Sequence, residues 1–194
     1  MREISPAVNY SVEEFFEQLS LSDRKPITKI REEKRKGLRP LPSEKLIDSS
    51  TVLNSDFRRA LLNKVAMYVD ENLAGRSEMC IQFASLLSLS LRSLGIQSRE
   101  AFGKSYYYQN GKEVFVWEHA WVRIGKEVID GNVDILYENP MFPSSIVVSP
   151  YWGVINQVPN DRKLVENKSK IYPEDEDVKN IWWPELQQWL INNT

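Results

Sequence analysis

The chain of 194 residues holds one cysteine and one histidine. A single cysteine excludes an intramolecular disulfide framework and any multi-cysteine metal cluster. No stretch approaches the roughly 20 consecutive apolar residues that a membrane span requires. The opening MREISPAVNYSVEEFFEQL lacks the apolar core of a signal peptide. Neither sign of charge prevails: 25 Lys and Arg stand against 27 Asp and Glu, a formal net charge of −2, which leaves no electrostatic footprint for nucleic acid. Internal repeats and low-complexity tracts are also missing. These absences predict a cytoplasmic protein with neither a membrane nor a nucleic-acid partner. They also concentrate any nucleophilic chemistry on very few residues.

What is present reads as globular. The apolar fraction is 42% and the charged fraction 27%, and the length allows a full core without covalent staples. Residues 1–50 form a peripheral segment. SVEEFFEQLS from Ser11 has the spacing of a short helix, with Ser11 as N-cap and Glu14 as its return partner. DRKPITKIREEKRKGLRPLPSEK is charged and proline-rich, the composition of a solvated arm, with a docking segment for a partner protein as the alternative.

From Asp56 the pattern becomes helical. Phe57, Leu61, Val65, Tyr68 and Val69 recur at helical spacing. SEMCIQFASLLSLSLRSLG follows, apolar nearly all round, which predicts a helix buried in the middle of the fold and stopped at Gly95. Beyond Gly95 the period falls to two, and at least three strands are expected, with turns at Asn110-Gly111 and Gly125-Lys126. A helical layer followed by an antiparallel sheet is an α+β arrangement. Residues 51–136 thus make a core. Residues 137–194 read as loops and short strands packed on it, ending in a helix from Pro184. Trp182, Trp183, Leu186, Trp189 and Leu190 would form that helix's buried side, or an interface for a partner.

The turn at Gly125-Lys126 carries a geometric consequence. With two residues in the turn, Ile124 pairs with Glu127, Arg123 with Val128, Val122 with Ile129 and Trp121 with Asp130. His119, two residues from Trp121, then shares a sheet face with Asp130 and is its diagonal neighbour. A carboxylate there can orient the imidazole and stabilise its charge. Asp134 is the reserve for this role. Cys80 opens the buried helix. Ser77 is a candidate cap that would put Cys80 in the first turn, where free N–H groups and the helix dipole favour a thiolate. The Cys80 N–H, Trp121, Asn72, Gln82 and Trp117 are the candidates for holding an oxyanion. Each triad residue alone has an ordinary structural explanation: a buried thiol, a satisfied strand histidine, a turn aspartate. Their joint placement is the functional signal.

GRSEMCIQFASLLSLSLRSLGI and EHAWVRIGKEVIDGNVD together resemble the transglutaminase-like branch of the papain-like cysteine enzymes. In that branch a Cys begins a core helix, a His lies in an HAW-type strand and an Asp lies on the next strand. The resemblance covers roughly residues 56–134 and maps onto Cys80, His119 and Asp130, with Ala84, Leu94 to Ile96 and Trp121 as further matches. The Cys helix and HAWV are also similar to leader-removing cysteine proteases of lasso-peptide maturation. The resemblance implies a papain/transglutaminase-like fold: a central helix starting at the Cys, packed on an antiparallel sheet, with peripheral N- and C-terminal helices. It implies a Cys-His-Asp hydrolase or acyl-transfer enzyme acting on a peptide or protein amide, with no cofactor and no metal; PEDED is too compact for a calcium loop. A non-catalytic interaction module on the same fold and a small-molecule amine acyltransferase are the alternatives.

Overall fold

The computed structural model describes residues 27–72, 75–139, 141–143, 146–169 and 175–193. The helix expected from Ser11 lies outside them. Four α-helices and six strands are present among the described residues. In chain order these are α1 (Ile27–Arg35), β1 (Ile47–Asp48), α2 (Ser55–Asn72), α3 (Cys80–Ser93), β2 (Arg99–Gln109), β3 (Lys112–Ile124), β4 (Glu127–Asp130), β5 (Tyr151–Val154), β6 (Arg162–Glu166) and α4 (Trp183–Asn193). The six strands form one mixed sheet in the order β1-β5-β4-β3-β2-β6, in which β1 runs parallel to β5 and every other pair is antiparallel. None of the described helices is long and apolar enough to cross a membrane.

Local chemistry accounts for the element boundaries. Asn54 caps α2, its side-chain oxygen accepting from the N–H of Asp56 at 2.8 Å. Helix α3 ends in a Schellman arrangement: Gly95 has φ +77°, and the Ile96 and Gly95 N–H groups donate to the carbonyls of Leu91 and Arg92. The two hairpin turns form as expected. Asn110 and Gly111 both take positive φ, and Gly125 does so at the β3–β4 turn. The expected pairs Ile124 with Glu127, Arg123 with Val128 and Val122 with Ile129 all occur.

Strand alternation divides the apolar residues between two faces. Phe102, Ala120, Val122, Ile124, Ile129 and Trp152 meet the helices in the main core, against Leu61, Val65, Phe83, Leu87 and Leu186. The other face carries Ala101, Trp121, Val128 and Tyr151. Towards the hairpin tip on that face, Tyr107, Phe115 and Trp117 are covered by Val133, Leu136, Phe142, Ile146 and Val148 from the long β4–β5 connection.

Two expectations are corrected. The described part of the charged segment is not a detached arm. Ile30, Arg39 and Leu46 are buried, and Arg39 donates to Glu138 at 2.6 Å and to Asp70 at 2.9 Å. A proline-rich, sign-alternating stretch can be anchored when its cation has buried carboxylates to meet, which composition does not reveal. The final helix starts at Trp183, one residue before Pro184, and a π-helical turn (Val178–Trp182) leads into it. Trp182, Leu186 and Leu190 are buried there, with Trp183 and Trp189 packed at the margin of the core. Trp189 stacks on Phe57 of α2, ring centres 6.3 Å apart.

Candidate active site

Cys80 is the first residue of α3. Ser77 does not cap the helix. The capping position is Met79, with φ −105° and ψ 34° and no side-chain cap hydrogen bond. The reason is spacing: Arg76 to Met79 form a tight turn closed by the Met79 N–H on the Arg76 carbonyl at 3.2 Å, so Ser77 lies inside that turn. The first bond into the helix runs from Phe83 N–H to the Met79 carbonyl. The N–H groups of Cys80, Ile81 and Gln82 are therefore left without intrahelical acceptors, as at any helix start.

His119 Nε2 and Asp130 Oδ1 are 2.7 Å apart, and both side chains are 1% exposed. An ionised carboxylate only accepts, so Nε2 carries the proton in this bond. That assigns Nδ1 as the nitrogen free for other chemistry. Nδ1 is buried without a well-formed hydrogen bond, while the Cys80 thiol interacts with the ring. The Cys80 thiol is thus near enough to raise the ring's proton affinity without a hydrogen bond to Nδ1.

The ladder explains how α3, packed on one face of the sheet, reaches an imidazole that alternates to the other. The β3–β4 pairing ends at Val122 with Ile129, so the fourth expected pair, Trp121 with Asp130, does not form. Beyond that point the strands part beside His119, and Gly131 runs directly under the Phe83 ring of α3.

Asp130 has a second cation that sequence reasoning missed. Arg162 of β6 donates through Nη1 to Asp130 Oδ2 at 2.7 Å. Its other donors go to the Ser149 carbonyl and, at 2.9 Å, to Asp161. Arg162 pairs across the ladder with Tyr107 of β2, and β2 and β3 lie between β6 and β4. Strands about 4.8 Å apart put three steps near 14 Å in a flat sheet, so this contact requires the sheet to curl. VPNDRK reads as a loop in sequence, and only Asp161 beside Arg162 hinted at a placed charge.

The electrostatics follow from these contacts. Burial alone would lower the proton affinity of His119, but the Asp130 charge and hydrogen bond, aided by Cys80, push its pKa up to about 10. Burial alone would raise that of Asp130, but His119 and Arg162 hold it down at about 2. The direction is that of an imidazolium–carboxylate pair. Tyr107, buried nearby with its hydroxyl unpartnered, is pushed up by burial first and then by the Asp130 charge.

The other candidates are placed as follows. Asp134 does not serve His119; it pairs with Arg76, Nη2 to Oδ2 at 2.6 Å, and burial raises its pKa to about 6 in spite of that partner. Gln82 points its amide at Asp175, 2.9 Å away, so it is engaged elsewhere. Trp117 stacks on Phe115 with ring centres 5.8 Å apart. Trp121 lies beside the imidazole, 6.2 Å between ring centres, with a buried Nε1 that has no acceptor. Asn72 is the last residue of α2, and its side chain is outside the described ones. A cavity of about 390 Å³ lies elsewhere, lined by Leu38, Arg39, Lys45, Asp134 and Tyr137, and none of Cys80, His119 or Asp130 reaches it. Among the described residues no group of three or more His, Cys, Asp or Glu has the geometry of a metal site.

No protein-family model, no curated protein and no solved structure matches this chain.

Proposed function

We propose that the chain is a cysteine-dependent enzyme of the papain/transglutaminase-like type, which opens a peptide or protein amide through a thioester. The observation that carries this reading is His119, hydrogen-bonded to Asp130 through Nε2 and interacting with the thiol of the only cysteine. In the mechanism, His119 Nδ1 holds the proton given up by Cys80, as an imidazolium beside the thiolate, and the sulfur attacks the amide carbonyl. The free N–H groups of the first turn of α3 stabilise the oxyanion. The C–N bond breaks as His119 returns its proton to the departing amine. Water then gives a proton to His119 and its oxygen to the acyl carbon, and the thioester C–S bond breaks as the sulfur leaves as thiolate. Asp130 keeps Nε2–H fixed throughout. The same reading has the protein work in the cytoplasm, where a lone thiol stays reduced.

Water is the proposed acceptor, because transfer at a useful rate needs a second shaped site that holds an amine against about 55 M water. The test is mass spectrometry on peptide substrates turned over with a primary amine present. The expected result is hydrolysed product that disappears in Cys80→Ala. A mass gain matching amine incorporation, well above hydrolysis and lost in the same variant, would make transfer the main activity. One observation favours a second reading, a non-catalytic interaction module: Cys80 is only 9% exposed. Absence of any Cys80-dependent product would support it.

A further inference from the structure

We propose that Arg162 is a positioning residue of the site: it grips the second oxygen of Asp130 so that the first stays aimed at His119, and its charge keeps that carboxylate from locking the proton on the ring. The proposal rests on the reading of Cys80 and His119 as a working pair.

The geometry is specific. The Arg162 side chain is fully buried and makes three separate attachments, to Asp130, Asp161 and the Ser149 carbonyl. These come from three segments, so the guanidinium plane has little freedom to turn. Asp130 is thereby held at both oxygens, Oδ1 by His119 and Oδ2 by Arg162, and its carboxylate plane is fixed in turn. An aspartate with one partner could rotate about χ2; this one cannot do so without breaking a buried charged bond.

The charge count gives Arg162 its second role. The titratable and charged groups around the His119–Asp130 pair are Cys80 from α3, Tyr107 from β2 and Arg162 from β6, with Asp161 behind Arg162. Without Arg162, a neutral thiol, a neutral imidazole and Asp130 would leave one uncompensated buried negative charge. Protonating His119 would cancel that charge, so the ring would hold its proton more tightly. With Arg162 present the quartet is neutral both with thiol and imidazole and with thiolate and imidazolium. That transfer leaves the net charge unchanged with or without Arg162; what Arg162 removes is the uncompensated Asp130 charge that would otherwise hold the proton on the ring, so His119 can serve as acid as well as base.

His119 is the only histidine, so NMR titration of its ring in the full chain is unambiguous. Arg162→Met should raise the His119 midpoint by about one to two pH units, the effect of removing a unit charge one carboxylate away. Arg162→Lys keeps the charge and loses the fork; its midpoint should stay within about half a unit of wild type. Asp161→Asn frees Arg162 of its outer anion and should lower the midpoint by a few tenths of a unit, damped by the partial exposure of Asp161. An unchanged or lowered midpoint in folded Arg162→Met, or a Lys variant that moves as far as the Met variant, would overturn the proposal. If Arg162→Met does not fold, Asp161→Asn decides: a downward shift supports the role, and no shift or a rise overturns it. Failure of the underlying reading shows separately, as a Cys80→Ser variant that turns over substrate like wild type. That result would remove the reaction Arg162 is said to serve.

Discussion

Phe83 of α3 lies against Gly131, so closely that a Cβ on Gly131 would sit 2.8 Å from Phe83 Cε1 and 2.9 Å from Leu62 Cδ2. Gly131 follows Asp130, and Phe83 is one turn from Cys80. The contact therefore sets how near the cysteine helix comes to the strand bearing the carboxylate. Gly131→Ala should destabilise the fold by about 1–3 kcal/mol, seen as a lower urea midpoint. Under the proposed reaction it should also lose more activity than a distant core substitution of equal cost, because it pushes α3 away from the His119–Asp130 pair. Equal losses would mean the contact serves packing alone.

Under the proposed reaction Cys80 should alkylate with iodoacetamide faster than a free thiol, since His119 serves as its base. His119→Ala should remove the excess. With one cysteine in the chain, the mass gain reports this residue alone. A rate no greater than that of a free thiol, unaffected by His119→Ala, would mark an inert buried sulfur.

The buried pair also makes stability depend on pH in a definite direction. His119 is raised in the folded state from its ordinary 6.5 to about 10. Its contribution is fully present below pH 6.5 and is lost as pH rises through about 10. Asp130 is lowered from 3.8 to about 2, so its contribution is present above 3.8 and lost as pH falls through about 2. Urea midpoints should therefore decline between pH 7 and 10, with a slope of up to about 1.4 kcal/mol per pH unit. Asp130→Asn should flatten that decline. A wild-type profile already flat over this range would contradict the pairing.

Arg39 ties the segment before β1 to the rest of the fold. Its side chain is 5% exposed, those of Asp70 and Glu138 are 4% exposed, and it pairs with both. Arg39→Ala removes the guanidinium these two buried carboxylates share, leaving Asp70 with Arg76 at 3.4 Å, and should cost about 3 kcal/mol in denaturant unfolding. A loss below 1 kcal/mol would mean the segment hangs loosely after all.

What the sequence reveals here tracks the range of the interaction. The Gly125-Lys126 turn dictates its own register over a few residues, and from that register the meeting of His119 and Asp130 follows. The buried helix from Cys80 to Gly95 is legible because its apolar residues and its stop signal are local. Arg162 is not legible: it reaches Asp130 only through sheet curvature, which no local pattern encodes. Nor is β1, a two-residue strand pairing in parallel with β5 about a hundred positions later. Asp134 shows the opposite error. Spacing along one face put it near His119, but a buried arginine, Arg76, claims it instead. Ser77 fails as a cap because a turn consumes it, and the backbone angles at Met79 decide the helix start.

The place of β6 at the edge of the sheet bears on how the protein is made. Asp130 leaves the ribosome well before Arg162, and β4 can pair with β3 at once through its short hairpin. Until β6 docks on β2, however, the carboxylate beside His119 has no guanidinium and cannot be buried cheaply. At a synthesis speed of about 5–20 residues per second, the nascent chain spends seconds with α2, α3 and strands β2 to β4 made and the His119–Asp130 pair unsealed. Docking of β6 thus closes the surroundings of this pair, and an unfinished chain carries the thiol and the imidazole without the arginine that completes them.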